Sequence, residues 1–262
     1  MADPIQISAY IICKDEREFL GDCLDSLRDF REIVIVDSGS TDGTLELVGD
    51  YRQRGFPIRL IERSWPGYAA QKQFALEQCE EPWCFGIDAD ERLTPELRDW
   101  LAAFRPGDAA AVAFRRVDYL PGYGYPPPSV HAQYQTRLVR KDRVRYGIDV
   151  RVHEGLIIDG PVQKVEGPRM LHYRALSIAE AARKASDYAE LKAEDLRDRG
   201  RRAGFASMTI RPLGRFLKYY LLQRFVLCGI PGLIYSVETA IYVFLTEAKL
   251  YRKSLGPAAP PE

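Results

Sequence analysis

The stretch Ile33-Val-Ile-Val-Asp37-Ser-Gly-Ser-Thr-Asp42-Gly-Thr44 is an apolar, β-branched run that ends in an acid and enters a polar turn before a helix start. A buried strand that delivers a carboxylate into such a turn builds ligand sites in open α/β sheets. The run Trp83-Cys-Phe-Gly-Ile-Asp88-Ala-Asp90-Glu91 repeats the pattern. Two acidic strand ends predict one crevice that needs negative charge, most simply to hold a divalent cation that carries a phosphate ligand.

Strand and helix patterns alternate four times over the first part of the chain. We expect strands at Ile5–Ile12, Ile33–Val36, Ile58–Ile61 and Trp83–Ile87 and helices at Glu16–Arg28, Thr44–Gln53, Ala69–Gln78 and Pro95–Phe104. This alternation predicts an α/β fold with a mostly parallel, doubly wound sheet flanked by helices. After it we expect a strand at Ala110–Val117, and a short hairpin formed by Thr136–Arg140 and Arg143–Tyr146.

The last third of the chain is predicted to be helical, with a polar amphipathic segment at Ser177–Arg197 and apolar segments at Phe216–Val226 and Leu233–Leu250. The uncharged run between Arg224 and Glu238 is shorter than the roughly 20 apolar residues of a membrane span, which argues against spanning. Two alternatives remain: the helices pack on the domain or on another subunit, or they lie in a bilayer interface with basic residues against anionic lipid.

Bulk composition excludes some classes of function. The 262 residues suit one large domain, or one domain plus an appendage. The formal net charge is zero, which gives no reason to expect nucleic-acid binding. The five cysteines are odd in number and form no C-x-x-C motif, which indicates reduced thiols in a cytosolic protein. The first residues lead straight into a strand, so we expect no signal peptide.

Three segments together resemble a family 2 glycosyltransferase with the GT-A (Rossmann-like) fold: Lys14-Asp-Glu16, Val36–Thr44 and Asp88-Ala-Asp90-Glu91. Trp65–Phe74, His153-Glu154 and the apolar tail are similar to the subgroup of lipopolysaccharide-core β-glucosyltransferases. The match covers about residues 5–175, so the resemblance implies a nucleotide-sugar-binding and catalytic domain at 1–175. The helical pattern predicts a C-terminal region at 176–255, and the Pro/Ala-rich composition predicts a disordered tail at 256–262.

The resemblance also implies which residues bind the donor, a UDP-sugar. Asp37 would accept a hydrogen bond from the uracil N3–H, Asp88 would face the ribose or a metal-bound water, and Lys72 would neutralise donor phosphate. Family members often carry an Arg-Asn pair where this chain has Lys72-Gln73. The full set expected at the nucleotide is Lys14, Asp15, Glu16, Asp37, Gln71, Lys72 and Asp88.

A divalent ion that bridges the two donor phosphates stabilises the charge on the leaving group, and Mg²⁺ or Mn²⁺ prefers carboxylate oxygen for this purpose. Asp90 is the first candidate ligand and Asp88 the second. By resemblance, His172 would complete the metal shell. The alternative is that these acids only solvate a loop, or cap the helix that begins near Pro95.

Inverting transfer needs a general base that takes the proton of the acceptor hydroxyl as its oxygen attacks the anomeric carbon. Glu154 is the first candidate and Asp149 the second. His153 would orient Glu154 or contact acceptor phosphate. Arg137 and Arg151 belong to a cationic set that a phosphorylated glycolipid acceptor would explain, and that a solvated hairpin face would explain nearly as well.

These expectations describe a metal-dependent, inverting glycosyltransferase that moves a sugar, glucose by resemblance, from a UDP-sugar to a lipopolysaccharide-core or related envelope glycolipid. It would be peripheral at the inner face of the cytoplasmic membrane, and its C-terminal helices could also form a homo-oligomer. Two alternatives are a polyisoprenyl-phosphate glycosyltransferase, in which the lipid phosphate is the nucleophile and no protein base is needed, and a non-catalytic nucleotide-sugar-binding protein.

Overall fold

The computed structural model describes residues 3–131, 133–147, 155–174 and 177–255. These form two compact units: a sheet unit from the described parts of 1–118, 132–150 and 154–174, and a helical unit from the described parts of 119–131 and 175–262. Along the chain, the sheet unit ends at Arg174 and the main part of the helical unit follows. The Pro/Gly/Tyr-rich segment 119–131, however, packs with the helices through Leu120 and Val130.

The sheet unit follows the predicted alternation closely. Its strands are β1 Ile5–Cys13, β2 Phe30–Asp37, β3 Ile58–Glu62, β4 Trp83–Gly86, β5 Glu91–Leu93, β6 Ala111–Asp118, β7 Gln133–Arg140, β8 Val144–Tyr146, β9 Leu156–Ile158 and β10 Val162–His172. Its helices are α1 Arg17–Ser26, α2 Thr44–Gln53, α3 Tyr68–Gln78 and α4 Pro95–Ala102. Thr94 caps α4 by accepting a hydrogen bond from the Leu97 N–H, and Pro95 occupies the first turn, where its missing N–H is not needed.

Eight strands form one sheet in the order β3-β2-β1-β4-β7-β6-β10-β5, and β8 pairs with β9 alone. The pairs β1/β2, β2/β3, β1/β4 and β6/β10 are parallel, whereas β7 and β5 run antiparallel to their neighbours. One face packs on α1, α2 and α4, and the other on α3 with β8. The prediction of a mostly parallel α/β sheet flanked by helices is confirmed.

The hairpin expected from Thr136–Arg140 and Arg143–Tyr146 is wrong. β7 instead lies between β4 and β6, whereas β8 pairs with β9. The physical reason lies in Leu138 and Val139, which are consecutive and fully buried, so β7 needs cover on both faces. A 3₁₀ turn at Lys141–Arg143 then separates it from β8.

The helical unit contains α5 Ile178–Asp198, α6 Phe205–Leu217 and α7 Gly229–Ser254. A π-helical turn at Lys218–Leu222 and a 3₁₀ turn at Phe225–Cys228 connect α6 to α7. Ser177 and Glu180 form a reciprocal capping box at the start of α5. Lys249 and Lys253 of α7 both form ion pairs with Glu190 of α5, so these two helices are joined by charges as well as by packing.

Phe225–Ser254 is long and apolar enough to cross a membrane by length and composition, and only 17% of its most apolar window is buried inside the protein. The argument from a short uncharged run therefore does not exclude a span. A single helix of this kind is weak evidence, because soluble proteins contain similar ones. Its buried Glu247 and its ion pairs to the highly charged α5 would place several charges in the hydrocarbon if it crossed.

Candidate functional site

The candidate site lies at the edge of the sheet where the parallel strands end. The strand register aligns Cys13 with Asp37, and Asp118 with His172. Asp88 follows β4, which is parallel to β1. The carboxyl ends of parallel strands face one crevice, so polar residues placed just after them meet there even when they are far apart in sequence.

The loops after β1 and β2 are held together by hydrogen bonds. The Asp15 carboxylate accepts from the Thr41 N–H at 2.7 Å, and the Asp15 N–H donates to Ser40 Oγ at 2.8 Å. The Glu16 N–H donates to Thr44 Oγ1 at 2.9 Å. Asp15 has a φ of 54°, a left-handed conformation that non-glycine residues seldom adopt without external support. The predicted nucleotide residues 14–16 are therefore positioned by the Asp37 turn.

Asp37 organises that turn through its own carboxylate. The side chain is fully buried, and its Oδ2 accepts from the backbone N–H groups of Gly39 at 2.8 Å and Ser40 at 2.9 Å. Its Oδ1 accepts from the Ser40 hydroxyl and, at 3.6 Å, from the Cys13 thiol. The expected contact to uracil would have to compete with these bonds, so the structure shows Asp37 in a turn-forming role.

Asp88 lies between two cations. Its Oδ1 is 3.1 Å from Lys72 Nζ, and its Oδ2 accepts from Arg137 Nη2 at 2.6 Å. Burial alone would raise the pKa of Asp88, but Arg137 and Lys72 outweigh that effect and hold the pKa well below its ordinary value. Lys72 is thus brought to the acidic strand end, as expected for a group near the donor phosphates.

The Arg137 side chain is mostly buried and pairs with carboxylates inside the protein. Besides Asp88 it contacts Glu91 at 2.5 Å, and the Glu91 side chain is fully buried. Burial raises the pKa of Glu91, which Arg137 and Arg116 partly oppose. Both contacts are made by Nη2 of a side chain that is 11% exposed, so the structure shows Arg137 supporting the acidic strand end.

Asp90 and His172 meet across the crevice. His172 Nε2 lies 3.3 Å from Asp90 Oδ2, and His172 Nδ1 lies 2.9 Å from Asp118 Oδ1. Burial would lower the pKa of His172, but the hydrogen bonds to Asp118 and Asp90 outweigh it and raise the pKa to about 9. Arg174 Nε contacts the same Asp90 oxygen at 2.9 Å, and Arg174 Nη2 donates to both oxygens of Glu16.

Many of the charges at this edge are paired. Five carboxylates face five basic groups through the contacts above, the former being Glu16, Asp88, Asp90, Glu91 and Asp118 and the latter Lys72, Arg116, Arg137, His172 and Arg174. Across the part of the chain that the structure describes, no group of three or more His, Cys, Asp or Glu side chains is arranged to hold a metal ion. Any ion bound here therefore takes part of its coordination from another source, such as a ligand or water.

Asp90 and His172 are the residues that would hold such an ion, which would have to replace the proton on His172 Nε2. Ions such as Mg²⁺ keep several waters and are bound by one or two carboxylates plus substrate phosphate, rather than by a cage made of protein alone. Asp118 holds the far nitrogen of His172 and so fixes the orientation of the ring, an arrangement common behind metal-binding histidines.

Gln71 is held by contacts inside the protein and is not free to contact a ligand. It is fully buried, donates to Ser38 Oγ at 3.0 Å and accepts from Arg63 Nη1 at 3.1 Å. It therefore ties α3 to the turn after Asp37. Lys14, by contrast, is exposed at the loop after β1.

Sequence reasoning missed Arg116, Asp118 and Arg174. Asp118 lies at the end of a predicted strand, and this position could have identified it as a candidate site residue. Arg116 points to the same side two residues earlier, as the period of a strand requires. Arg174 follows the candidate ligand His172, but nothing in its sequence context indicates a pairing with Glu16. The candidate bases Glu154 and Asp149, and the candidate acceptor residues His153 and Arg151, lie outside the described residues.

Comparison with known proteins agrees with this architecture. The family model described as glycosyl transferase family 2 matches residues 8–155. The chain is 43% identical over 262 residues to the lipopolysaccharide core biosynthesis glycosyltransferase LpsC of Rhizobium meliloti, across 99% of this chain and 97% of that protein. It is 27% identical to the uncharacterized glycosyltransferase RC0292 of Rickettsia conorii, across 95% of this chain and 91% of the other.

Solved structures show the same fold at low identity. Residues 1–349 of TarS from Staphylococcus aureus align with a TM-score of 0.51 and 16% identity, across 95% of this chain and 91% of that one. The mannosyltransferase PcManGT of Pyrobaculum calidifontis, solved with GDP-Man and Mn²⁺, aligns with a TM-score of 0.53 and 15% identity, across 97% and 76%. These neighbours confirm the GT-A fold. By the family match and the close relative, the chain belongs to glycosyl transferase family 2 and is a glycosyltransferase.

Proposed function

We propose that this glycosyltransferase takes a sugar from a UDP-sugar, with glucose as the first candidate, and transfers it with inversion to a lipopolysaccharide-core or related envelope glycolipid. The observation that carries the donor half is the meeting of Asp90 and His172 beside Lys72-bound Asp88 at the ends of the parallel strands. TarS has been solved with UDP and with UDP-GlcNAc, which supports a uridine nucleotide at this edge. The relative LpsC is named a lipopolysaccharide core biosynthesis glycosyltransferase, which supports a lipopolysaccharide-core acceptor.

Asp90 and His172 would hold Mg²⁺ or Mn²⁺ together with the donor diphosphate. A divalent ion there supplies Lewis-acid stabilisation of the negative charge that develops on the leaving diphosphate. The Mn²⁺ complex of PcManGT supports this choice of ion. Lys72 lies beside Asp88 with its side chain only 15% exposed, and its ammonium group can add a second positive charge near the phosphates.

The remaining donor contacts follow from the loops after β1 and β2. Lys14, Asp15 and Glu16 would lie along base and ribose, on a loop fixed by the Asp37 turn. Asp37 and Gln71 would support the donor-binding loops from inside the protein, because both are fully buried. Preorganised contacts of this kind hold the donor in a reactive orientation without cost at the moment of transfer.

On the acceptor side, Glu154 would act as general base and Asp149 is the second candidate. His153, in the Val152–Gly155 motif, would orient Glu154 or contact acceptor phosphate, and Arg151 would contact the acceptor as a member of the cationic set. A carboxylate base would accept the proton of the acceptor hydroxyl while that oxygen attacks the anomeric carbon and the diphosphate leaves on the opposite side. This geometry inverts the anomeric configuration.

The protein would work at the inner face of the cytoplasmic membrane. Helix α6 carries apolar residues that are strongly exposed in the described structure, with Phe205 at 83%, Ile210 at 68% and Leu213 at 59%. Helices with a continuous exposed apolar face and basic residues elsewhere lie in the plane of a bilayer interface. Replacing Ile210 and Leu213 together by serine is expected to weaken vesicle binding. Unchanged binding would contradict this location.

Donor, stereochemistry and base are tested by one transfer assay. The protein is incubated with Mn²⁺, a phosphorylated core glycolipid and either UDP-glucose or GDP-mannose, and the released nucleotide is measured. We expect release from UDP-glucose, a β-linked product by NMR, and loss of transfer in Glu154→Gln. Near-normal turnover of Glu154→Gln would remove the base assignment, and turnover only when a polyisoprenyl phosphate replaces the core glycolipid would favour that acceptor. UDP binding without any turnover would favour a non-catalytic role.

A further inference from the structure

The helical unit contains a basic cleft that the proposed reaction does not use. It lies among α5, α6 and α7 and has a volume of about 570 Å³. Its wall includes five cationic side chains, namely Lys192, Arg201, Arg211, Arg215 and Lys218. One carboxylate, Glu247, lies among them. We call this set of residues the basic cleft.

Glu247 neutralises only two of these cations. Its Oε1 accepts from Arg201 Nη2 at 2.6 Å and from Arg211 Nη1 at 2.9 Å. The residue is 2% exposed, yet its Oε2 has no hydrogen-bond partner among the described residues. The one carboxylate therefore offsets two of the five cations and leaves the cleft with an excess of positive charge.

Of the other three cations, Arg215 and Lys218 are available to an anion. Lys192 pairs with Asp195 at 3.0 Å, outside the cleft wall. Arg215 donates to the Tyr219 hydroxyl at 3.3 Å. Neither Arg215 nor Lys218 has a carboxylate within ion-pair distance among the residues that the structure describes. Several like charges gathered around one carboxylate repel each other and attract an anionic ligand.

Helix periodicity relates the cleft to the exposed apolar face. Arg211, Arg215 and Lys218 recur at spacings of four and three residues, which places them on one side of α6 and its continuation. Ile210 and Leu213 lie on another side, pointing away from this set. A helix lying in a bilayer interface with its apolar side in the lipid carries its flanking cations at the level of the headgroups.

We propose that the basic cleft binds the phosphate group of a membrane lipid headgroup. Arginine guanidinium groups match phosphate oxygens in pairs, and Lys218 adds a point charge, so Arg215 and Lys218 would take the phosphate. The site rests on the proposed membrane-surface location, and it would set the orientation of the enzyme on the lipid.

The test removes Arg215 and Lys218, because Glu247 then keeps both of its arginine partners and the fold is preserved. Arg215→Gln/Lys218→Gln is compared with Arg197→Gln/Arg252→Gln, which removes two exposed positive charges from the same unit outside the cleft. Binding is measured by co-sedimentation with phosphatidylcholine vesicles that contain phosphatidylglycerol. Calorimetry with glycerol 3-phosphate measures the soluble group alone, UDP binding reports on the donor site in the sheet unit, and thermal unfolding by circular dichroism reports on folding of the variants.

We expect an about 30-fold loss of vesicle affinity in the cleft variant, since each lysine or arginine near an anionic surface contributes roughly 1 kcal/mol. The control should lose less than about threefold, and UDP affinity should be equal in both. Competition of glycerol 3-phosphate with vesicles in the wild type would further support a headgroup site. Equal losses in both variants would overturn the proposal, because they indicate general charge attraction. Glycerol 3-phosphate binding that depends on Arg215 and Lys218, without any change in vesicle affinity, would overturn the lipid assignment.

Discussion

Arg137 is the residue whose removal should most weaken the support of the acidic strand end. Its Nη2 lies 2.6 Å from Asp88 and 2.5 Å from Glu91, and its side chain is 11% exposed. Removing one partner from a buried ion pair costs about 3–5 kcal/mol, because an uncompensated charge stays behind. Asp88 keeps Lys72 at 3.1 Å and Glu91 keeps Arg116 at 3.5 Å, so the lower end of that range applies. For Arg137→Met we therefore expect a loss of about 3 kcal/mol in the free energy of unfolding.

The matched control is Arg140→Met in the same strand. Arg140 pairs with Asp142, and their side chains are 35% and 60% exposed, so this change should cost less than about 1 kcal/mol. Adding Glu91→Gln to Arg137→Met removes the buried charge that has lost its nearest partner and should restore about 1 kcal/mol or more.

Urea unfolding followed by tryptophan fluorescence measures these differences in the free energy of unfolding of the sheet unit. The three tryptophans, Trp65, Trp83 and Trp100, all belong to the sheet unit, so their signal reports its unfolding. If Arg137→Met and Arg140→Met lose equal stability, or if Glu91→Gln restores nothing, the reasoning about a buried charge network at Glu91 is refuted.

Two further predictions concern packing and thiols. Gly232→Ala should destabilise the helical unit by about 1–3 kcal/mol, because the added methyl group would meet the Phe225 carbonyl oxygen. The control is Gly49→Ala in α2, where the methyl group would face open space and should cost no stability. Thermal unfolding by circular dichroism compares them, and equal shifts would contradict the contact. All five cysteines are buried free thiols, and burial raises the pKa of Cys13 and Cys23, so native protein should react negligibly with Ellman's reagent and urea should expose all five. Rapid reaction of any native thiol would contradict this.

Much of the sheet unit could be predicted from sequence because its signals are local. β-branched runs such as Ile33–Val36 indicate buried strands, and the helix at Thr44–Gln53 has the predicted bounds. The insertion of β7 between β4 and β6 could not be predicted, since strand partners far apart in sequence leave no local trace. The consecutive apolar residues Leu138 and Val139 were the one usable hint of a central strand.

In the candidate site, too, some residues could be identified from sequence, but their roles could not. Acids that end predicted strands, such as Asp88, were identifiable because strand ends converge in parallel sheets. The role of a side chain at that edge depends on its partners, which sequence does not show. Asp37 and Gln71 were expected at the nucleotide, but hydrogen bonds within the protein occupy both of them. Arg137 was expected at the acceptor, but its contacts to Asp88 and Glu91 hold it inside.

The central claim is that Asp90 and His172 hold a divalent ion together with the donor diphosphate. Calorimetric titration of UDP with and without Mn²⁺ tests it most directly, on the wild type, on Asp90→Asn, and on Asp142→Asn as an exposed acidic control. We expect Mn²⁺ to tighten UDP binding by about tenfold or more in the wild type and the control, and to have no effect in Asp90→Asn. UDP affinity that is independent of Mn²⁺ in the wild type, or an Mn²⁺ effect that persists in Asp90→Asn, would contradict the claim.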